Sequence, residues 1–154
     1  MQWCIDANAA WTPSTARDAL ELMKSIDQRI YMIEQPFPVV IDASEEEEWK
    51  EIKDCVEREG SLVFADESMS DASDVDKLKP FVHGLNVKLE KAGGIRGALA
   101  AMEHARGQQL KIWTGIMLTS VLCTNTAAQV HRTFSLLAEV GAVVITILKH
   151  WLRL

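Results

Sequence analysis

The stretch LNVKLEKAGG (residues 85–94) decides how the chain is read. It begins as an apolar run, sets a lysine, Lys88, where a buried strand reaches its end, and closes on Gly93 and Gly94 ahead of a helical pattern. A buried ammonium is costly unless it is paired or has a chemical role. Two glycines in succession suit a tight turn from strand to helix. The stretch is therefore one strand–loop–helix unit with a functional group at the strand end.

Working outward, the same unit recurs. Residues 1–5 form an apolar run that ends at Asp6. Thr12 is suited to an N-cap and Pro13 to the first helical position, and Ala16, Leu20, Met23 and Ile26 follow at helical spacing. Residues 30–33 end at Glu34, and Pro36 and Pro38 forbid continuation of a ladder. Ser44 and Glu47 make a capping box for a helix through Trp49, Ile52 and Val56. Residues 61–65 end at Asp66, and a short helix is expected over 72–78. Residues 84–87 lead to Lys88, a helix follows over 95–106, and residues 110–113 form a fifth strand. A last helix is expected over 125–139, and residues 142–148 as a sixth strand or a terminal helix.

Alternating strands and helices with near-continuous apolar strands predict an α/β fold whose parallel sheet is buried on both faces. The choice lies between an open doubly wound sheet and part of a (β/α) TIM-type barrel. No glycine-rich dinucleotide turn follows the first strand, which favours a partial barrel of five to six parallel strands in a single domain over 1–154.

Composition narrows the partners. The chain has 154 residues, 48% hydrophobic and 25% charged, enough for a real core. Its 16 basic and 22 acidic residues give a net charge of −6, which argues against nucleic acid as the main partner. Cys4, Cys55 and Cys123 show neither a CxxC pair nor zinc spacing and read as reduced thiols. The first residues carry no basic segment followed by an apolar one, and residues 140–148 are about half the length of a membrane span, so they are expected in the core. The expectation is a cytoplasmic protein with no membrane partner.

Functional groups in such folds gather at the C-terminal ends of the strands. Asp6, Glu34, Asp66 and Lys88 stand there, 28, 32 and 22 residues apart, each interval fitting one βα unit. Three converging carboxylates repel one another, and a hard divalent cation such as Mg²⁺ relieves that repulsion with an all-oxygen shell. A desolvated lysine beside a metal is poised as a general base. An acid at a strand end is otherwise most often a helix cap; the combination in register carries the metal reading.

The segments DANAAW (residues 6–11), IEQPF (33–37), ADES (65–68) and NVKLEKAGG (86–94) resemble the enolase superfamily, in its mandelate racemase/muconate-lactonizing subgroup, and within it the L-Ala-D/L-Glu (dipeptide) epimerases. The resemblance runs to about Val130. It implies that Asp6, Glu34 and Asp66 bind Mg²⁺, that Lys88 is one of two acid/base lysines, and that Asn8 and Glu67 support the site. It implies a magnesium-dependent epimerase or racemase that removes the proton α to a carboxylate through an enediolate, on a small carboxylate or dipeptide such as L-Ala-L-Glu.

The chain also departs from that pattern. In the family a capping domain and two strands, one bearing the partner lysine, precede the DAN segment, so the sequence reads as lacking them. Thr119 in GIMLTS (115–120) stands where the family has a glutamate, no acidic D-x-D follows, and residues 140–154 form a divergent tail. The alternative function is a truncated, catalytically silent metal-binding or structural fragment. Bare sheet edges predict self-association. Lys91 is expected to face solvent at the start of a helix, Trp113 to lie in the core, His83 to have no catalytic role, and Ser120 and Thr119 are candidates to bind a substrate carboxylate.

Overall fold

A computed structural model describes residues 2–25, 29–38 and 46–137. The elements alternate: β1 Gln2–Asp6, α1 Pro13–Ser25, β2 Arg29–Glu34, α2 Glu46–Arg58, β3 Leu62–Ala65, a 3-10 turn Ala72–Asp74 running into α3 Val75–Leu78, β4 Gly84–Asn86, α4 Ile95–Gly107, β5 Lys111–Trp113 and α5 Val121–Leu137. The expected roles of Ile26 and of Ser44 in a capping box, and the assignments for residues 138–154, lie outside the described residues.

All four strand pairings are parallel, and the spatial order is β1-β2-β3-β4-β5. A doubly wound sheet reverses its direction of growth at a switch point. This one never does, so each strand lies beside its sequence neighbour, as in a (β/α)-barrel.

The sheet has two unequal cores. Ile33, Val63, Ala65, Leu85 and Ile112 pack against the helices through Ala16, Leu20, Trp49, Ile52, Val56, Ala98 and Met102. The opposite face holds a smaller cluster of Met32, Phe64 and Trp113, with the Phe64 and Trp113 rings edge to face at 6.4 Å. Strand alternation puts residues i and i+2 on one face. Glu34 follows Met32, Asp66 follows Phe64, and Lys88 follows Asn86, so the polar groups continue the smaller face beyond its apolar floor. Gly84 makes that floor possible, because a Cβ there would meet the Phe64 ring at 2.4 Å.

One boundary differs from expectation. The last helix starts at Val121, four residues before the expected 125. Ser120 caps it: its hydroxyl accepts the Cys123 N–H at 3.3 Å, and its carbonyl accepts the Thr124 N–H at 3.0 Å. Val121 and Leu122 are exposed, so the first turn lacks the buried face that periodicity detects.

Candidate active site at the strand ends

The first three strand ends are stitched together by loop backbone. Asp6 and Glu34 are register partners. Beyond them, Ala7, Ala9 and Trp11 donate their N–H groups to the carbonyls of Glu34, Gln35 and Pro36 at 3.0, 2.8 and 2.9 Å. Asn8 takes a positive φ of 46°, and its backbone N–H reaches Asp6 Oδ1 at 2.9 Å. It is thus the Asn8 main chain that holds the Asp6 carboxylate.

Glu34 is buried, and Asn86 Nδ2 donates to its Oε1 at 2.5 Å. Asn86 is itself anchored, since the Gly115 N–H donates to its Oδ1 at 2.7 Å. Burial pushes the Glu34 carboxyl from 4.5 up to about 7, against the Asn86 bond that favours its charged form; the charges of Asp66 and Asp6 push it further the same way.

Asp66 is buried and faces two cations. Lys88 Nζ donates to Oδ2, and Lys91 Nζ donates to Oδ1 at 2.6 Å and to the Asp66 carbonyl. Burial alone would raise the Asp66 carboxyl, but the two ammonium groups hold it below its ordinary value. Lys91 therefore does not face solvent as expected. The loop after β4 closes a turn, with Ala92 N–H on the Lys88 carbonyl at 3.0 Å and Gly94 N–H on Leu89 at 2.7 Å, and this returns Lys91 to the side of Lys88.

Asp6, Glu34, Asp66 and Lys88 thus come together along consecutive strand ends. Among the described residues no group of three His, Cys, Asp or Glu is drawn in tightly enough to hold a metal ion, and Asp66 is engaged by the two lysines. The donor set nonetheless suits a hard cation. Three carboxylates flank one another, one of them is driven toward its protonated form, and Glu67 Oε2 is buried without a hydrogen-bond partner.

Gln35 and Asn86 escape a reading that looks only for acids and lysines. Their signal is a side-chain amide where an apolar residue is expected: Asn86 two residues before Lys88, and Gln35 between Glu34 and Pro36. His83 is structural: its Nδ1 accepts the Val63 N–H at 3.0 Å, extending the β3–β4 pairing. Trp113 is core, as expected. Ser120 serves as the α5 cap, and no described bond places Thr119 in the site.

Comparison with known proteins agrees with this geometry. The sequence model of the family "Enolase C-terminal domain-like" matches residues 1–146, well past Val130. An enolase superfamily member from Dictyostelium discoideum is 42% identical over 142 residues, covering 86% of this chain and 32% of that protein. An L-Ala-D/L-amino acid epimerase from Pedosphaera parvula is 37% identical over 126 residues, 80% of this chain and 34% of that protein. The crystal structure of a dipeptide epimerase from Enterococcus faecalis, complexed with Mg and the dipeptide L-Leu-L-Tyr, superposes with a TM-score of 0.73 at 28% identity, covering 84% of this chain and 35% of that one. The chain spans about a third of the length of the curated relatives it matches.

Proposed function

The chain belongs to the enolase C-terminal domain-like family, and from that premise we propose that it supplies the metal-binding and proton-transferring residues of an epimerase or racemase acting on a dipeptide such as L-Ala-L-Glu. The observation that carries the reading is the run Asp6, Glu34, Asp66, Lys88 on consecutive strand ends, with Lys88 in direct contact with Asp66.

In this reading Asp6, Glu34 and Asp66 hold Mg²⁺, with Asn8 and Glu67 in support. Bound there, Mg²⁺ offsets the negative charge that builds on the substrate carboxylate as its α-proton leaves. Lys88, released from Asp66, takes that proton on one face of the α-carbon, and reprotonation from the opposite face gives the epimer. Asn86 keeps Glu34 oriented by its bond to Oε1. A second acid/base group on the opposite side of the α-carbon completes inversion. The Met32–Phe64–Trp113 floor keeps water from beneath the reacting atoms.

β1 and β5 are the outer strands of the described sheet, and Met117, Leu118, Val121 and Leu122 are exposed beside β5. We read these as surfaces for self-association or for the remaining barrel segments. No helix of the described residues is long and apolar enough to cross a membrane; a cytoplasmic setting and a single domain over 1–154 with a divergent tail complete the proposal. A second reading is a catalytically silent metal-binding or structural fragment, in which Asp66 stays paired with Lys88 and Lys91.

The test is incubation with Mg²⁺ and L-Ala-L-Glu in D₂O, followed by NMR of the α-carbon. Deuterated epimer that disappears in K88M supports the enzyme. Exchange without epimerisation shows Lys88 working from one side alone. Mg²⁺ uptake without exchange supports the silent fragment, and neither uptake nor exchange overturns both readings.

A further inference from the structure

We infer that Gln35 is the positioning residue that locks the three acid-bearing strand ends into one preset arrangement. The metal arm of this inference rests on the reading above; the structural arm does not.

Gln35 is fully buried in the loop after β2, and its backbone sits at a positive φ of 37°. A non-glycine residue held in that region is strained and persists only where its surroundings over-determine it. Here every polar atom of the residue is engaged. Its N–H donates to the Phe64 carbonyl of β3 at 2.8 Å, and its carbonyl accepts from Ala9, in the loop after β1, at 2.8 Å. Its side-chain Nε2 donates to the Phe37 carbonyl at 2.8 Å and to Ser68 Oγ at 2.7 Å. Its Oε1 accepts the N–H of Asp66 at 2.9 Å and of Ser68 at 3.2 Å.

An amide has two donor hydrogens and two acceptor lone pairs, and all four are used. One residue thereby grips the segment after Asp6, lies next to Glu34 in the chain, and holds the backbone of Asp66. Neither a carboxylate nor a hydrocarbon of the same length reproduces that set: the first cannot donate, and the second leaves the buried Asp66 N–H and the half-buried Ser68 N–H without this acceptor. The spacing of the carboxylates is thus fixed by a group that carries no charge and touches none of their oxygens.

The test uses the chain with Q35M, which keeps volume but removes the amide, and S68A, which removes one partner. Amide hydrogen exchange is read at Asp66 and Ser68 against Leu85 as a control, and Mg²⁺ alone is titrated by calorimetry. Q35M is expected to speed exchange at Asp66 and Ser68 tenfold or more relative to Leu85. It is expected to weaken Mg²⁺ binding about 10- to 100-fold, the range for lost supporting contacts around a metal. S68A is expected to give a smaller change of the same kind, and Q35M/S68A to be no worse than Q35M, since both act through one network. A purely space-filling role predicts Mg²⁺ binding unchanged in Q35M, and that result overturns the inference. So does exchange at Asp66 that tracks Leu85, or, should Q35M not fold, S68A behaving as the unmodified chain. Failure of the unmodified chain to take up Mg²⁺ refutes the metal reading, while the exchange comparison still decides the role of Gln35.

Discussion

Lys88 and Asp66 are joined by a hydrogen bond between the end of β4 and the end of β3, and Lys91 closes on the other oxygen of the same carboxylate at 2.6 Å. The Asp66 side chain is 4% exposed, against 14% and 20% for the two lysines. A single buried carboxylate thus faces two cations, while Glu34 beside it contacts none among the described residues and is pushed toward its protonated form. The charge of the site is unevenly divided between neighbouring acids, and several consequences follow from that division.

Either lysine alone keeps Asp66 paired, so the two substitute for each other. K88M or K91M is expected to cost about 1–2 kcal/mol, and the double variant about 3–5 kcal/mol, more than the sum, because only the double leaves a buried charge uncompensated. Urea denaturation at neutral pH measures it; strictly additive costs would show that the lysines hold Asp66 independently.

Glu34 gives the metal-free chain a pH signature. Its carboxyl lies at about 7 when folded, against 4.5 ordinarily, chiefly through burial. The folded state therefore holds this proton more tightly than the unfolded chain. Its contribution is complete below about pH 4.5 and is lost as pH rises through 7. Between pH 5 and 8 the unmodified chain is expected to lose stability relative to E34Q, by up to about 3 kcal/mol. Denaturation curves of both at the two pH values decide it, and parallel pH dependence would remove Glu34 as the source.

The strands, their order and the four charged strand ends were legible because each signal is local: an apolar run, a terminal charge, a cap. The start of α5 was not, because the Ser120 cap opens onto an exposed apolar turn that disguises the period. Lys91 was misplaced for a different reason. Local spacing places it in the loop ahead of the helix that starts at Ile95, where solvent is the default, whereas the turn closed by the Ala92 and Gly94 N–H groups folds Lys91 inward onto Asp66. The contacts that tie Gln35 to Asp66 and Asn86 to Glu34 span 31 and 52 positions, and no local pattern reports them.

His83 is the reverse case to Glu34. Burial, with the Lys53 charge adding to it, lowers its pKa; Glu57 and Asp54 oppose this. The neutral ring is needed because Nδ1 accepts the Val63 N–H. Its contribution is complete above the ordinary value of 6.5 and is lost as pH falls below it. H83Q offers an acceptor that does not titrate in this range. Between pH 7.5 and 5.0 it is expected to lose less stability than the unmodified chain, with the Val63 amide protected at both pH values. Equal losses would separate His83 from the acid response.

Self-association is expected to run through the exposed apolar turn beside β5. Leu118 and Leu122 are 94% and 78% exposed, and with Met117 and Val121 they form a run that nothing in the described chain covers. L118K/L122K is expected to shift sedimentation toward the monomer at a concentration where the unmodified chain self-associates, with little effect on unfolding. Unchanged sedimentation would locate association elsewhere, at the β1 edge for example.

Gly115 is the most discriminating position in the site. A Cβ there would lie 2.6 and 2.8 Å from the amide atoms of Asn86 and 3.0 Å from Lys88 Cε. The lysine stem can yield, but Asn86 is held at both ends, by the Gly115 N–H and by Glu34. G115A should therefore displace Asn86, and Glu34 would lose the Asn86 hydrogen bond that favours its charged form. The expected result is a Glu34 titration moved above 7, weaker Mg²⁺ uptake, and a stability loss of about 1–3 kcal/mol. G84A is the contrast: its Cβ would meet the Phe64 ring and the Lys111 backbone carbonyl at 2.8 Å, inside the β4–β5 pairing. It should cost more stability than G115A, by disturbing the floor beneath the site rather than the acids above it. NMR of the Glu34 carboxyl carbon, paired with urea denaturation of both variants, separates the two effects. A Glu34 titration unchanged in G115A would break the chain of contacts from β5 to the acid.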